Sequence, residues 1–301
     1  MDFALDRLLA AANQIILGKE RQIQLAVCCL LAKGHLLIED IPGVGKTTLS
    51  HTLARLFGME YQRIQFTSDI LPADIVGSTV FDTHKQQFSF HPGPIFKQMI
   101  LADEINRATP KAQSALLEAM EERQVTVEGQ TYALPQPFFV IATQNPANQI
   151  GTFPLPESQV DRFLMRIELG YPSRQAEREL LAGQPRHLLI NNLPEALSPA
   201  QLVELQQAAA GVHASPALLD YLQALLAYTR QSPDFVNGLS PRAGLGLLAA
   251  AKAWAYIDKR HAVLPEDVQA VLPAVAGHRL NAGSSDSVGI VAPILAQVPV
   301  H

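Results

Sequence analysis

Cysteine is almost missing from this chain: 301 residues contain two, Cys28 and Cys29, adjacent on a segment patterned as a helix, a poor geometry for a mutual disulfide. A disulfide framework is therefore excluded, and the expected compartment is a reducing one, the cytoplasm. Long apolar runs are lacking as well. "AVCCLLA" (Ala26 to Ala32) is far too short to cross a bilayer. "VGIVAPILAQVPV", broken by Pro293 and Pro299, stays below the roughly 20 residues a spanning helix needs, so no membrane insertion is expected. The opening "MDFALDRLLAAANQIILGKE" has acids before its first apolar stretch and neither a basic leader nor a small-residue cleavage site, which argues against secretion. The nine histidines, His35, His84, His187 and His261 among them, form no H-x-x-x-H and no Cys/His pairing, so a zinc site is not expected. Positive charge is not in excess either: 23 Lys and Arg stand against 28 Asp and Glu, a formal charge of -5 that does little to attract polyanions. No low-complexity linker and no internal repeat is found.

What the chain has is 48% hydrophobic residues, enough to bury one large or two ordinary domains. Up to about Tyr171, short apolar runs alternate with helical patterns, the signature of a sheet with crossover helices. Predicted strands are "HLLIE" (35–39), "YQRIQF" (61–66), "QMILA" (98–102), "PFFVIAT" (137–143) and "LMRIEL" (164–169). Several are apolar nearly throughout, as strands covered on both faces should be. "STVFDTHKQQFSFHPG", turning at Asp82 to Gln86, and "QVTVEGQTYAL", turning at Glu128-Gly129, read as hairpins. Beyond "YPSRQ" the strand signals vanish, and Ser198-Pro199, Ser215-Pro216 and Ser240-Pro241 each place a serine N-cap before a proline at the first helical position. The expected division is an α/β core over 1–171 and a helical region over 172–301.

The loop "PGVGKTT" carries the first chemistry. Gly43 and Gly45 let the backbone curl so that successive N–H groups face an anion, and the following helix adds its positive N-terminal end. Pro42, Gly43, Val44, Gly45, Lys46, Thr47 and Thr48 are thus the expected ATP-binding loop, with Lys46 on the β- and γ-phosphates and the Thr47 hydroxyl on Mg²⁺. The strict pattern G-x-x-x-x-G-K-[ST] has glycine where this chain has Asp40. Without its context the loop would be no more than a glycine-rich strand-to-helix turn.

Phosphoryl transfer to water also needs a held metal, a group to orient the water and positive charge on the transition state. "MILADEINRA" supplies the first two at the tip of an apolar strand: Asp103 to hold Mg²⁺ through its water shell, and Glu104 to activate the water. An acidic helix start would have the same composition. "FFVIATQNP" ends another apolar strand with Asn145, placed to reach the γ-phosphate or the water, although Asn-Pro is also an ordinary turn opener. Arg162 in "SQVDRF" and Arg242 in "LSPRAG" are, on local grounds alone, surface ion-pair residues.

Taken together and in this order, "EDIPGVGKT", "RIQFTSDILPADIVG", "LADEINRA", "ATQNP", "LPESQVDRF" and "SPRAGLGLLAAAKAWA" resemble the MoxR family of AAA+ ATPases, over nearly the whole chain. The resemblance implies an AAA+ P-loop core followed by a small all-α lid, with ATP bound between them and across a subunit boundary in a hexameric ring. Residue by residue it implies that Lys46 and Thr47 are the Walker A residues, Asp103 and Glu104 the Walker B pair, and Asn145 sensor 1. Arg162 then matches the arginine finger, Arg242 matches sensor 2, and Ile16, Leu17 and Gly18 match the stretch beside the adenine. Asp40 in the loop is usual for this family. Both hairpins are expected on the pore side of the ring. The family acts as chaperone-like remodelling ATPases, often in metal or cofactor insertion and commonly with von Willebrand factor A domain proteins. The chain ends soon after the lid, so a minimal form without added domains is expected.

Three other readings compete. A nucleic-acid ring motor would need positive hairpin tips, yet "TVEGQT" has Glu128 and no Lys or Arg, and "DTHKQQ" has only Lys85 beside Asp82. A nucleotide switch without turnover can lose its base and finger, whereas Glu104 and Arg162 are both present. A small-molecule kinase would need an acceptor-binding segment, and none is found.

Overall fold

The computed structural model describes residues 2–83, 86–145, 152–280 and 286–300. Its strands are β1 (Leu36–Glu39), β2 (Tyr61–Gln65), β3 (Gly77–Asp82), β4 (Gln87–Pro92), β5 (Met99–Asp103), β6 (Gln124–Val127), β7 (Gln130–Ala133), β8 (Phe139–Gln144) and β9 (Met165–Ile167). The helices of the first part are α1 (Asp2–Ile15), α2 (Glu20–Leu31), α3 (Lys46–Leu56), α4 (Pro72–Val76), α5 (Pro110–Glu122) and α6 (Glu157–Val160). Among the described residues, the elements that follow β9 are helices, α7 (Arg174–Ala182), α8 (Arg186–Asn191), α9 (Pro199–Ala210), α10 (Pro216–Gln231), α11 (Pro241–Ile257), α12 (Pro265–Ala276) and α13 (Ser287–Gln297), with one isolated bridge between His213 and Ala262.

All five apolar runs become strands of one parallel sheet, in the order β2-β5-β8-β1-β9. Alternation along each strand divides its side chains between two layers. Leu36, Ile38, Met99, Leu101, Phe139 and Ile141 join the cluster formed with α1–α3 and the C-terminal helices. Leu37, Ile100, Ala102, Val140 and Ala142 join the cluster under α4 and α5. Burial on both faces is why these strands read as continuous apolar runs rather than alternating ones. Gly34 fits where a side chain would not: a Cβ there would stand 2.3 Å from Leu164 Cδ2, so β1 can begin against the segment that leads into β9.

Both hairpins form, β3 with β4 and β6 with β7. Glu128 and Gly129 take positive φ (50° and 80°), which matches the right-handed strand twist of a tight two-residue turn. The hairpins are joined by a stack of Phe90 on Tyr132, ring centroids 4.1 Å apart. Lys85 and His84 at the first tip, and Pro146 after β8, lie outside the described residues. In the helical part Ser198, Ser215 and Ser240 each accept a hydrogen bond from the N–H three residues on, and Ser198 completes a capping box with Gln201. Among the described residues no helix is long and apolar enough to cross a membrane.

Candidate active site

The phosphate loop leaves the C-terminal end of β1, and its curl rests on Gly43 and Gly45, with φ of 85° and 100°. A Cβ at either would meet nothing within 4 Å, so conformation rather than crowding asks for glycine there. A cleft of about 320 Å³ opens above the loop. Pro42, Gly43, Gly45, Lys46, Thr47 and Thr48 form one wall, and Asp103, Glu104 and Asn145 the other. Val44 packs against the hydrophobic core instead. Gly18 is beside the first turn of α7, where a Cβ would come 3.4 Å from Ala176 Cβ.

Lys46 opens α3, and its Nζ donates to the Asp40 carbonyl at 2.6 Å. Burial lowers its pKa, with Asp40, Asp103 and Glu104 opposing that shift. Across the cleft, Asp103 Oδ1 accepts from the Thr143 hydroxyl at 2.6 Å, and Oδ2 from Arg63 Nη2 at 2.6 Å and Nε at 3.0 Å. Glu104 sits in the left-handed region (φ 57°), which turns its carboxylate off the strand end. Its oxygens accept from Asn145 Nδ2 at 3.3 Å, Gln65 Nε2 at 3.0 Å and Arg107 Nη1 at 3.0 Å. Asn106 donates to the Asn145 carbonyl at 3.2 Å and so ties the turn after β5 to the end of β8. Arg63, Gln65, Asn106 and Arg107 escaped the sequence reading. The available signal was two polar residues, Arg63 and Gln65, at alternate positions of a strand paired with β5.

Arg162 and Arg242 are elsewhere. Arg162 precedes β9, and its Nε meets Glu121 at 3.1 Å. Arg242, at the start of α11, pairs with the other oxygen of Glu121 and stands 3.8 Å from Asp161. Glu121 lies in the last turn of α5, one residue after Met120, whose carbonyl meets His35 at 3.3 Å, just before β1 begins. These groups therefore occupy the N-terminal edge of the sheet. The phosphate loop, Asp103, Glu104 and Asn145 occupy the C-terminal edge, about 15 Å away at the usual rise of a five-residue strand. Neither arginine lines the cleft of its own chain.

A buried arginine that the sequence did not single out fixes this second cluster. Arg279 Nε donates to Asp161 Oδ1 at 2.7 Å. Its Nη groups reach the carbonyls of Asp161 (2.9 Å), Phe163 (2.7 Å) and Leu164 (3.1 Å).

A parallel sheet in this order, a glycine-rich loop between β1 and α3, a carboxylate pair at the end of β5, an asparagine just after β8 and a helical region after the last strand define an AAA-type nucleotide hydrolase core with a lid. The family of ATPases associated with various cellular activities (AAA) matches residues 35–165, and the AAA lid domain matches 227–292. The YeaC protein of Bacillus subtilis (strain 168) is 44% identical over 89% of this chain and 84% of its own length. Chaperone MoxR1 of Mycobacterium tuberculosis is 41% identical over 92% and 75%. A crystal structure from Cytophaga hutchinsonii, described provisionally as an ATPase, superposes with a TM-score of 0.88 at 34% identity, covering 100% of this chain and 96% of that one. The chain belongs to the MoxR family of AAA+ ATPases.

Proposed function

We propose that this ATPase hydrolyses ATP with Mg²⁺ in a homo-oligomeric, hexameric ring and uses the cycle to remodel or mature partner protein complexes. In this reading residues 1–171 are the nucleotide-binding core and 172–301 move as the lid. The observation that supports it is that the cleft and the arginine pair lie at opposite edges of one sheet. Lys46, Thr47, Asp103, Glu104 and Asn145 line the cleft, while Arg162 and Arg242 share Glu121 at the far edge. A second copy must bring its arginines to this cleft for the transition-state charge to be met.

The donor chemistry suits Mg²⁺: one hydroxyl, Thr47, and one carboxylate, Asp103, face the same cleft, as expected of a hard cation that takes most of its oxygens from phosphates and water. Bound there, the ion would neutralise charge on the phosphate oxygens. In this reading Glu104, whose carboxylate is bonded by Asn145, Gln65 and Arg107, accepts a proton from the attacking water, and Lys46 meets the γ-phosphate. Proteins as clients, rather than nucleic acid, are favoured by the first hairpin, which exposes Val80, Phe81 and Phe88. A von Willebrand factor A domain partner, metal or cofactor insertion and a cytoplasmic location follow from the family resemblance.

The test is ATP hydrolysis per subunit against protein concentration, with and without DNA, for wild type, Arg162→Ala, Lys46→Ala and mixtures of the two variants. Specific activity should rise with concentration, ignore DNA, vanish in each variant and partly return in the mixture. Concentration-independent activity that survives Arg162→Ala would sink the shared site, and strong stimulation by DNA would favour a nucleic-acid motor.

A further inference from the structure

Asp40 occupies the one loop position where the strict phosphate-loop pattern has glycine, and it is buried. Its side chain does not line the cleft. Oδ1 accepts from the N–H of Ile41 at 2.8 Å, within the loop. Oδ2 accepts from the N–H groups of Leu169 at 2.7 Å and Gly170 at 2.6 Å, some 130 residues further along the chain. Meanwhile the Asp40 carbonyl holds Lys46 Nζ at 2.6 Å, and its N–H donates to Gln144 at the end of β8. Leu169 and Gly170 are where β9 hands over to the helical region. Gly170 has φ of 62°, and Lys19 Nζ donates to the Tyr171 carbonyl at 2.9 Å. Ser173 and Ala176, three and six residues on from Gly170, pack beside Gly18. One carboxylate thus joins the loop that grips phosphate to the root of the helices.

We propose that Asp40 is a positioning residue that couples the phosphate loop to this root, so that nucleotide bound at the loop is felt at Leu169–Gly170 and passed to α7. The inference rests on the ATP reading of the loop and adds to it the route by which occupancy reaches the lid. A carboxylate accepting charge-assisted bonds from both segments makes them move as one. A glycine in its place satisfies the loop's own backbone requirement and leaves the two segments without a shared partner.

Amide hydrogen exchange of the full-length chain, free and with Mg²⁺ and ATPγS, reads both ends at once. In wild type, nucleotide should slow exchange at both 43–48 and 169–176, by about tenfold or more. In Asp40→Gly the slowing at 43–48 should persist within about twofold, while that at 169–176 should fall below about twofold. Should Asp40→Gly not fold, Asp40→Asn, which keeps one acceptor oxygen of the two, carries the same comparison and should give an intermediate response at 169–176. Equal responses of 169–176 in variant and wild type would overturn the coupling. A wild type that shows no slowing at 43–48 would instead overturn the ATP reading, and this inference with it.

Discussion

His35 stands just before β1, fully buried, with Nδ1 accepting from the Val140 N–H at 3.0 Å and Nε2 donating to the Met120 carbonyl at 3.3 Å. Burial depresses its pKa from the usual 6.5 to about 4; the Met120 bond opposes the shift, and the charge of Arg123 adds to it. The imidazole is therefore neutral in the fold and binds a proton more readily in the unfolded chain. Stability from this group is intact above about pH 6.5 and is lost as pH falls toward 4. At about 1.4 kcal/mol for each tenfold change in proton affinity, the full effect is about 3 kcal/mol, of which about 2 kcal/mol is lost between pH 7 and pH 5. The perturbation is His35→Gln, which cannot protonate but can still accept and donate. Guanidinium unfolding of both proteins at the two pH values isolates the contribution of His35, because His278, also depressed by burial, remains in each. The wild type should lose about 2 kcal/mol more than the variant on acidification. Equal losses would refute the assignment of a buried neutral imidazole to the start of β1.

Arg279→Met should cost about 2–3 kcal/mol in thermal or denaturant unfolding, because it removes the buried donor shared by the Asp161 carboxylate and the carbonyls of Asp161, Phe163 and Leu164, while Arg242 and His278 still reach Asp161 and Phe163; a cost below about 1 kcal/mol would mean that the lost bonds are replaced by water. Glu104→Gln should bind ATP as wild type does and lose hydrolysis by about two to four orders of magnitude; comparable turnover would remove Glu104 from the mechanism. Glu121→Gln removes the charge shared by Arg162 and Arg242, so half-maximal specific activity should be reached at a protein concentration lower by about two- to tenfold, and an unchanged concentration profile would say that the pair does not restrain assembly.

The three central strands, β1, β5 and β8, were legible because they are buried on both faces and bounded by turn chemistry. "HLLIE", "QMILA" and "PFFVIAT" carry no polar residue between their ends, and each lies in the sheet within a residue or two of its predicted bounds. The serine caps were equally plain, since a hydroxyl bonding an N–H three residues later is a local event. The phosphate loop was legible for the same reason: its curl, its glycines and its lysine lie within six residues. The order of the strands was not, because nothing in β1 says that β8 and β9 flank it.

Long-range partners were the part that pattern alone could not supply. Arg279 is one arginine near the end of a helix by sequence, yet it is the donor that fixes the segment carrying Arg162, some 118 residues away. Asp40 stands where the strict loop pattern has glycine, and it takes two of its three side-chain bonds from residues that no motif contains. Arg63 and Gln65 are exposed polar positions of β2 that no motif contains, and they hold Asp103 and Glu104 from the side. In each case a charged or amide side chain spans two segments that are close only after folding. A motif identifies the groups that meet the substrate because their spacing is fixed along the chain. The groups that aim them are set by strand order and helix packing, so they become visible only when the sheet has brought β2 beside β5 and α12 against the chain before β9.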